Sequence, residues 1–528
     1  MEQTLKPEHA EGYERRWWTL GVLCLSLLVV GLDNTILNVA LPTLARDLGA
    51  TNSQLQWIVD AYVLVFAGLL LTTGSLSDRY GRRKALALGL VVFGVGSTLS
   101  AFSGTSSALI ASRSLMGVGG ALIMPSTLSI LTNVFPADER GRAIGIWAGV
   151  SGLGIAIGPI VGGWLLNHFW WGSVFLVNVP VVIVALILGR LLVPDSKDPS
   201  PNALDPVGAV LSIVGLVSLV YTIIEAPSHG WTSTQTIVTF AFSLIVLGAF
   251  AIWELRSDHP MLDVTFFENP RFTAANISIV LVFFALFGSL FFLTQYLQFV
   301  LGYSPLQAGL RVAPIALVLM VSAPLSGRLV TRLGNKVLVA TGMTAVAVGL
   351  GFLGTISVSS GYPHVLIALL ILGLGMGTAM VPATDSIMGS LPLAKAGVGS
   401  AMNDTTRQVG GALGVAILGS VFASAFTSNV APSLVGLPAE VAAQASQSVD
   451  QAIKAGTQLG GVAGAAIVAA AKQSFISAMD RGLFVGAGIA LVGAIVALIW
   501  LPNRAATPAE EPLPGEHADR EVALAEAE

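Results

Sequence analysis

Between residues 18 and 500 the chain is a succession of long apolar runs broken by short polar stretches. Runs of 18 or more residues fall near 18–41, 55–77, 85–102, 107–131, 141–166, 170–193 and 207–225. Seven more lie near 236–253, 272–298, 309–327, 336–357, 364–388, 398–425 and 478–500. Each is long enough to cross the ~30 Å hydrocarbon core of a bilayer as a helix. The pattern predicts an all-α polytopic membrane protein of about 14 transmembrane helices, with both termini on one side.

Charge placement tests this threading independently, because loops on the cytoplasmic side collect Lys and Arg. Every second loop does so. One set holds Arg15 and Arg16, the cluster around Arg79, Arg140 and Arg142, Arg190 and Lys197, Arg256 and Arg271, Arg328, Arg332 and Lys336, then Lys395 and Arg504. The short loops of the other set hold only Arg46. Both termini are therefore expected in the cytoplasm of a multi-pass inner-membrane protein.

Composition agrees. A chain of 528 residues that is 54% hydrophobic and only 11% charged, with mean hydropathy +0.79, is built for lipid and not for water. A formal net charge of −4, with the basic residues in short loops, excludes a nucleic-acid face and a soluble catalytic domain. Cys24 stands alone, which excludes an intramolecular disulfide framework. The first apolar run is too long for a signal-peptide core and reads as an uncleaved span.

The chain divides into a cytoplasmic N-terminus (1–17), a six-helix bundle (18–193), two inserted helices with cytoplasmic linkers (194–271), a second six-helix bundle (272–500) and an acidic tail (501–528). The tail has the composition of a disordered segment. Within the second bundle, 427–476 reads as a long outer loop rich in Ala, Gly, Gln and Ser, whose GVAGAAIVAAA stretch is too short to cross.

The two bundles echo each other. GRLVTRLGNK at 327–336 repeats the Gly, Arg, Gly, Lys order of GSLSDRYGRRK, and AMVPAT at 379–384 matches ALIMPST at 121–127. Duplicated bundles facing each other across a cavity place a transporter's substrate near the bilayer midplane. In GSLSDRYGRRKAL (74–86), Arg79, Arg82, Arg83 and Lys84 hold the loop on the inner side, Gly74 and Gly81 allow tight turns and close helix approach, and Asp78 is placed to pair with a neighbouring helix end and latch one conformation.

Ionisable residues inside spans are costly and mark function by default. Asp33, Arg113 and Asp60 fall at one depth on the first, fourth and second helices. Desolvation favours the protonated carboxyl and a neighbouring guanidinium the ionised one, so moving a carboxylate between the two settings changes its proton occupancy. A static salt bridge is the structural alternative. Asp404 lies near the inner end of the thirteenth helix with Arg407 one turn on, and Asp385 on the twelfth at similar depth. Asp404 is a candidate for cationic substrate or a second proton, or else simply pairs with Arg407; for Asp385 an interfacial position is favoured. Phe291 and Tyr296 belong to an aromatic-rich ninth helix able to stack on flat ligands, or to pack against neighbours.

With LDNTILNVALPTL at 32–44, the 74–86 loop, GLGIAIGPIVGG at 152–163 and WGSVFLVNVP at 171–180, the chain resembles, nearly end to end, the fourteen-helix drug:proton antiporters of the major facilitator superfamily. One departure is clear. The fourth-helix pattern normally reads Arg, two residues, Gln, Gly, whereas here Arg113 is followed by Met116 and Gly117. The resemblance implies a monomer in the bilayer that exports hydrophobic, often cationic, small molecules in exchange for protons, with no cofactor and no nucleic-acid partner. It also implies an antiporter helix on which Gly154, Gly158 and Gly162, with Gly163, admit a close neighbour while Pro159 bends the helix. A dedicated exporter of one natural product or lipid would use the same machinery, and a receptor without flux is a further alternative. No GxxxxGK[ST], HExxH or Cys/His cluster points to an enzyme.

Overall fold

The computed structural model describes residues 13–197, 205–257, 260, 262, 264–391 and 396–502. The acidic tail, the Lys197–Asp205 linker interior and Lys395 fall outside the described residues. The first bundle consists of α1 (Arg16–Asp47), α2 (Asn52–Tyr80), α3 (Arg82–Ala101), α4 (Ser106–Val134), α5 (Ala137–His168), the one-turn α6 (Ser173–Leu176) and α7 (Asn178–Leu192). The inserted hairpin is α8 (Pro206–His229) and α9 (Thr234–Arg256). The second bundle runs through α10 (Pro270–Gln295), α11 (Pro305–Val312), α12 (Pro314–Leu353), α13 (Tyr362–Met388), α14 (Ala396–Val430), α15 (Ala439–Gln447), α16 (Val449–Leu459) and α17 (Gly461–Trp500).

Among the described residues, 12 stretches are long and apolar enough to span. One of them, Pro305–Leu353, holds two spans joined at Gly334, which has φ 78°, and the 32-residue α5 adds another. The expected fourteen crossings are thereby accounted for. Thr51 opens α2 with a capping box to Gln54, and Ser304 opens α11 in the same way with Gln307, so the turns between spans satisfy their own backbone donors.

Two boundaries differ from the sequence reading. The 74–86 loop is a single residue: α2 continues to Tyr80, Gly81 turns at φ 111°, and α3 begins at Arg82. Gly74 consequently lies inside α2 and makes no turn. A methyl there would sit at an ordinary 3.6 Å from Pro125 Cβ, so close approach does not require glycine either. The α2–α4 contact is held by hydroxyls instead, with Thr73 Oγ1 donating to the Ala121 carbonyl at 2.6 Å and Ser77 Oγ 3.0 Å from Ser126 Oγ. The last helix starts at Gly461, not near 478, because its Ala-rich first half propagates helix without a breaker. The outer segment before it forms α15 and α16.

Gly81 and Gly334 are both left-handed and both stand at the matching turn of their bundle. This carries the sequence repeat into backbone conformation, since a β-carbon would strain either turn.

The bundles meet on the face opposite the basic loops. Across this seam a β-carbon on Gly309 of α11 would lie 2.0 Å from the Pro159 carbonyl oxygen of α5, and one on Gly163 of α5 would lie 2.6 Å from Leu306 Cα. Gln298 Nε2 donates to the Val39 carbonyl at 2.9 Å, and Gly419 of α14 abuts the Gln56 side chain of α2. α8 braces the same seam. Its Glu225 Oε1 accepts from Ser53 Oγ at 2.6 Å and Trp57 Nε1 at 3.2 Å, while its Ile223 carbonyl accepts from Ser420 Oγ at 2.5 Å.

Candidate functional site

Asp33 sits in the middle of α1, fully buried, and Arg113 of α4 reaches it: Nη1 of the guanidinium donates to Asp33 Oδ2. Arg113 Nε donates to the Ile58 carbonyl at 3.2 Å, and its guanidinium lies 4.4 Å from the centre of the Tyr62 ring. Asn178 Nδ2, at the start of α7, contacts Asp33 Oδ1 at 3.5 Å and donates to Ser97 Oγ at 3.1 Å. One arginine thus ties α4 to α1 and α2, and the carboxylate ties them to α7. An ion pair this deep needs its remaining donors and acceptors filled, and the carbonyl, the amide and the ring do that. The Met116 that stands in place of the family's glutamine offers only its sulfur, 3.8 Å from Arg113 Nη1.

Asp60 is equally buried and lies two residues from both Ile58 and Tyr62, yet it does not join the pair. Neither of its carboxyl oxygens has a hydrogen-bond partner among the described residues. One turn away, both amide atoms of Gln56 are buried and unpartnered too. Unsatisfied buried polar groups are rare and call for an explanation. This pair of orphans adjoins the seam where Gln56 meets Gly419.

In the second bundle, Asp404 Oδ1 lies 3.6 Å from Arg407 Nη1, and the Arg407 guanidinium stands 5.5 Å from the Phe283 ring, itself stacked on Phe287. Asp404 is buried, so the intrahelical pair foreseen from the spacing forms inside the bundle. Asp385 is exposed and accepts from Asn335 Nδ2 at 2.9 Å, immediately after the Gly334 turn. It shares a level with Asp404, since Thr384 Oγ1 donates to Asn403 Oδ1 at 3.3 Å, but it faces α12 instead.

Both aromatic candidates are buried against neighbours. Phe291 is buried edge-on against Phe292, and the buried Tyr296 donates its hydroxyl to the Ser360 carbonyl at 3.1 Å. On α5 the glycine stripe divides its work. Methyls on Gly154, Gly158 and Gly162 would run into Gly31, Thr35 and Ile36 of α1 in the same bundle, whereas Gly163 and Pro159 face the second bundle. In the basic turn Arg82 Nε meets Asp78 Oδ1 at 2.7 Å, bridging α2 and α3 across Gly81, and Arg83 Nη2 lies 3.3 Å from Asp195 Oδ2. Arg79 is exposed and its guanidinium lies 5.9 Å from the Tyr80 ring.

Residues 23–415 match the Major Facilitator Superfamily. The chain belongs to this superfamily. It is 38% identical over 484 residues to the multidrug efflux pump LfrA of Mycolicibacterium smegmatis, covering 91% of this chain and 95% of that one. It is 35% identical over 518 residues to the tetracenomycin C resistance and export protein of Streptomyces glaucescens, covering 96% of each. The fold is shared with a bacterial homologue of the human lysosomal transporter Spinster, at TM-score 0.67 and 16% identity over 94% of this chain and 99% of that one. This facilitator is therefore a multi-pass membrane transporter of small molecules and not an enzyme.

Sequence reading missed Tyr62, Asn178 and Gln56 as members of the site. Asn178 lay within the quoted WGSVFLVNVP motif, where a polar residue in an apolar run was the available signal. Asp480, half-buried on α17 with one unpartnered oxygen, was also passed over.

Proposed function

We propose that this facilitator exports hydrophobic, often cationic, drugs from the cytoplasm across the inner membrane in exchange for protons, working as a monomer. The observation that carries the reading is the buried Asp33–Arg113 pair with a second buried carboxylate, Asp60, at the same level and without a hydrogen-bond partner among the described residues. Isolated ionised carboxylates are too costly to keep in such a site, whereas a protonated carboxyl or one facing a guanidinium is tolerated. Proton exchange at Asp33 and Asp60 is then the low-cost response when alternating access brings water to them. Opening on the far side requires the Gly309–Pro159 and Gly163–Leu306 contacts to part, while the Asp78–Arg82 and Arg83–Asp195 ties, both within the first bundle, keep the basic ends of α2, α3 and the segment after α7 moving as one unit. Asp404 offers a carboxylate to a cation, with Arg407, which stands over the Phe283 ring, as its partner when the cation is absent.

The names of two relatives support drug export: one is a multidrug efflux pump, the other a tetracenomycin C resistance and export protein. The second favours, as an alternative, a dedicated exporter with the same coupling group. The test is ethidium accumulation in sealed inside-out vesicles under an imposed proton gradient. Accumulation that collapses with an uncoupler supports the reading, and gradient-independent or absent flux across a panel of cationic and neutral drugs defeats it.

A further inference from the structure

A cleft of about 600 Å³ opens between α3 and α7 at their basic ends. Its mouth carries Arg83 and Lys84 from the first turn of α3 and Arg190 from the last turn of α7, and its floor continues along Leu86, Leu90 and Leu186. Asp195 answers Arg83 alone. Lys84 and Arg190 are exposed, and neither has an ion-pair partner among the described residues. At the cleft wall Ile187 and beyond it Val91 and Val95 on α3 and Ile183 on α7 are bare apolar side chains, which is the surface a helix turns toward acyl chains.

We propose that this cleft binds an anionic phospholipid, with the headgroup phosphate between Lys84, Arg190 and Arg83 and one acyl chain along Leu86, Leu90 and Leu186. Cations gathered at one mouth repel one another until an anion enters, and the sign of the cleft is complementary to an anionic headgroup. A free phosphate ion would satisfy the same cations but would leave the apolar floor unused. The lipid phosphate also competes with Asp195 for Arg83, so occupancy loosens the tie between α3 and the segment that follows α7.

The test is native mass spectrometry of the full-length transporter in detergent with equal phosphatidylglycerol and phosphatidylethanolamine. Wild type should retain phosphatidylglycerol in preference. K84Q/R190Q should weaken that retention by about 25-fold, at roughly fivefold per cation removed. A87W, which fills the exposed cleft wall and removes no charge, should weaken it as well, and R328Q/R332Q, which strips two exposed cations from the matching region of the other bundle, should not. Equal retention of the two lipids by wild type, full retention by both cleft variants, or a loss as large in R328Q/R332Q overturns the proposal. So does displacement of the lipid by inorganic phosphate as readily as by short-chain phosphatidylglycerol, which would make the site one for a free ion.

Discussion

Gly309→Ala is the sharpest single-methyl perturbation of the seam between the bundles. The added carbon would lie 2.0 Å from the Pro159 carbonyl oxygen and 2.7 Å from its carbon, both backbone atoms of a packed helix, so no side chain can swing away. Overpacking of this kind costs about 1–3 kcal/mol. The cost falls only on the state in which α11 touches α5 and vanishes once the bundles separate on that face. A differential of about 1–3 kcal/mol moves the ratio of closed to open states about 5- to 150-fold. The assay is the labelling rate of a cysteine at Gln56 by a membrane-impermeant maleimide, in a Cys24→Ser background that removes the one native thiol. G309A should raise the rate by that factor. Gly21→Ala, a helix position with nothing within 4 Å, should leave it unchanged. Equal labelling in G309A and its parent would refute the idea that these glycines hold the far side shut.

Tyr62→Phe should transport like wild type, because the Tyr62 hydroxyl has no partner, whereas Tyr62→Leu should lose most proton-driven flux, because it removes the ring 4.4 Å from Arg113, a contact worth about 2 kcal/mol when desolvated. Gln56→Cys with Gly419→Cys should form a disulfide under oxidation, since a β-carbon at 419 would lie 3.0 Å from Gln56 Cγ, and should block export until reduced. At the basic face, the Arg16 hydrogen bonds at 2.6 and 3.0 Å hold the Glu139 carboxyl below the usual glutamate range. A depressed carboxyl stabilises the α1–α5 tie above the ordinary glutamate pKa, and that contribution is lost as pH falls through the lowered value. Amide protection at the start of α1, corrected for the intrinsic pH dependence of exchange, should therefore fall under acid in the wild type, while in Arg16→Gln it should be low at neutral pH already.

The fold was legible because a span must be long and apolar and because cationic loops mark one side, two constraints that do not depend on packing. Boundaries were not: nothing in an Ala-rich stretch distinguishes a protruding helix from a loop, so the start of α17 at Gly461 escaped notice. Depth along a helix follows from its rise per residue, and Asp33 and Arg113 were paired correctly on that basis. Azimuth does not follow from depth. Asp60 shares the level but makes no bond to Arg113, and Asp385 shares a level with Asp404 but faces Asn335. For the same reason Phe291 and Tyr296, candidates by composition, turned inward to Phe292 and Ser360, while Tyr62, unremarkable in the sequence, lies against the arginine.

The most direct test of the coupling account is proton release on drug binding. Ethidium is added to the purified transporter in weakly buffered detergent solution and the pH is followed with an indicator dye. The account predicts that wild type releases protons as ethidium binds, and that Asp33→Asn and Asp60→Asn each release fewer while still binding drug. Undiminished release from both variants, or ethidium binding to wild type with no proton released at any pH from 5 to 9, would contradict it.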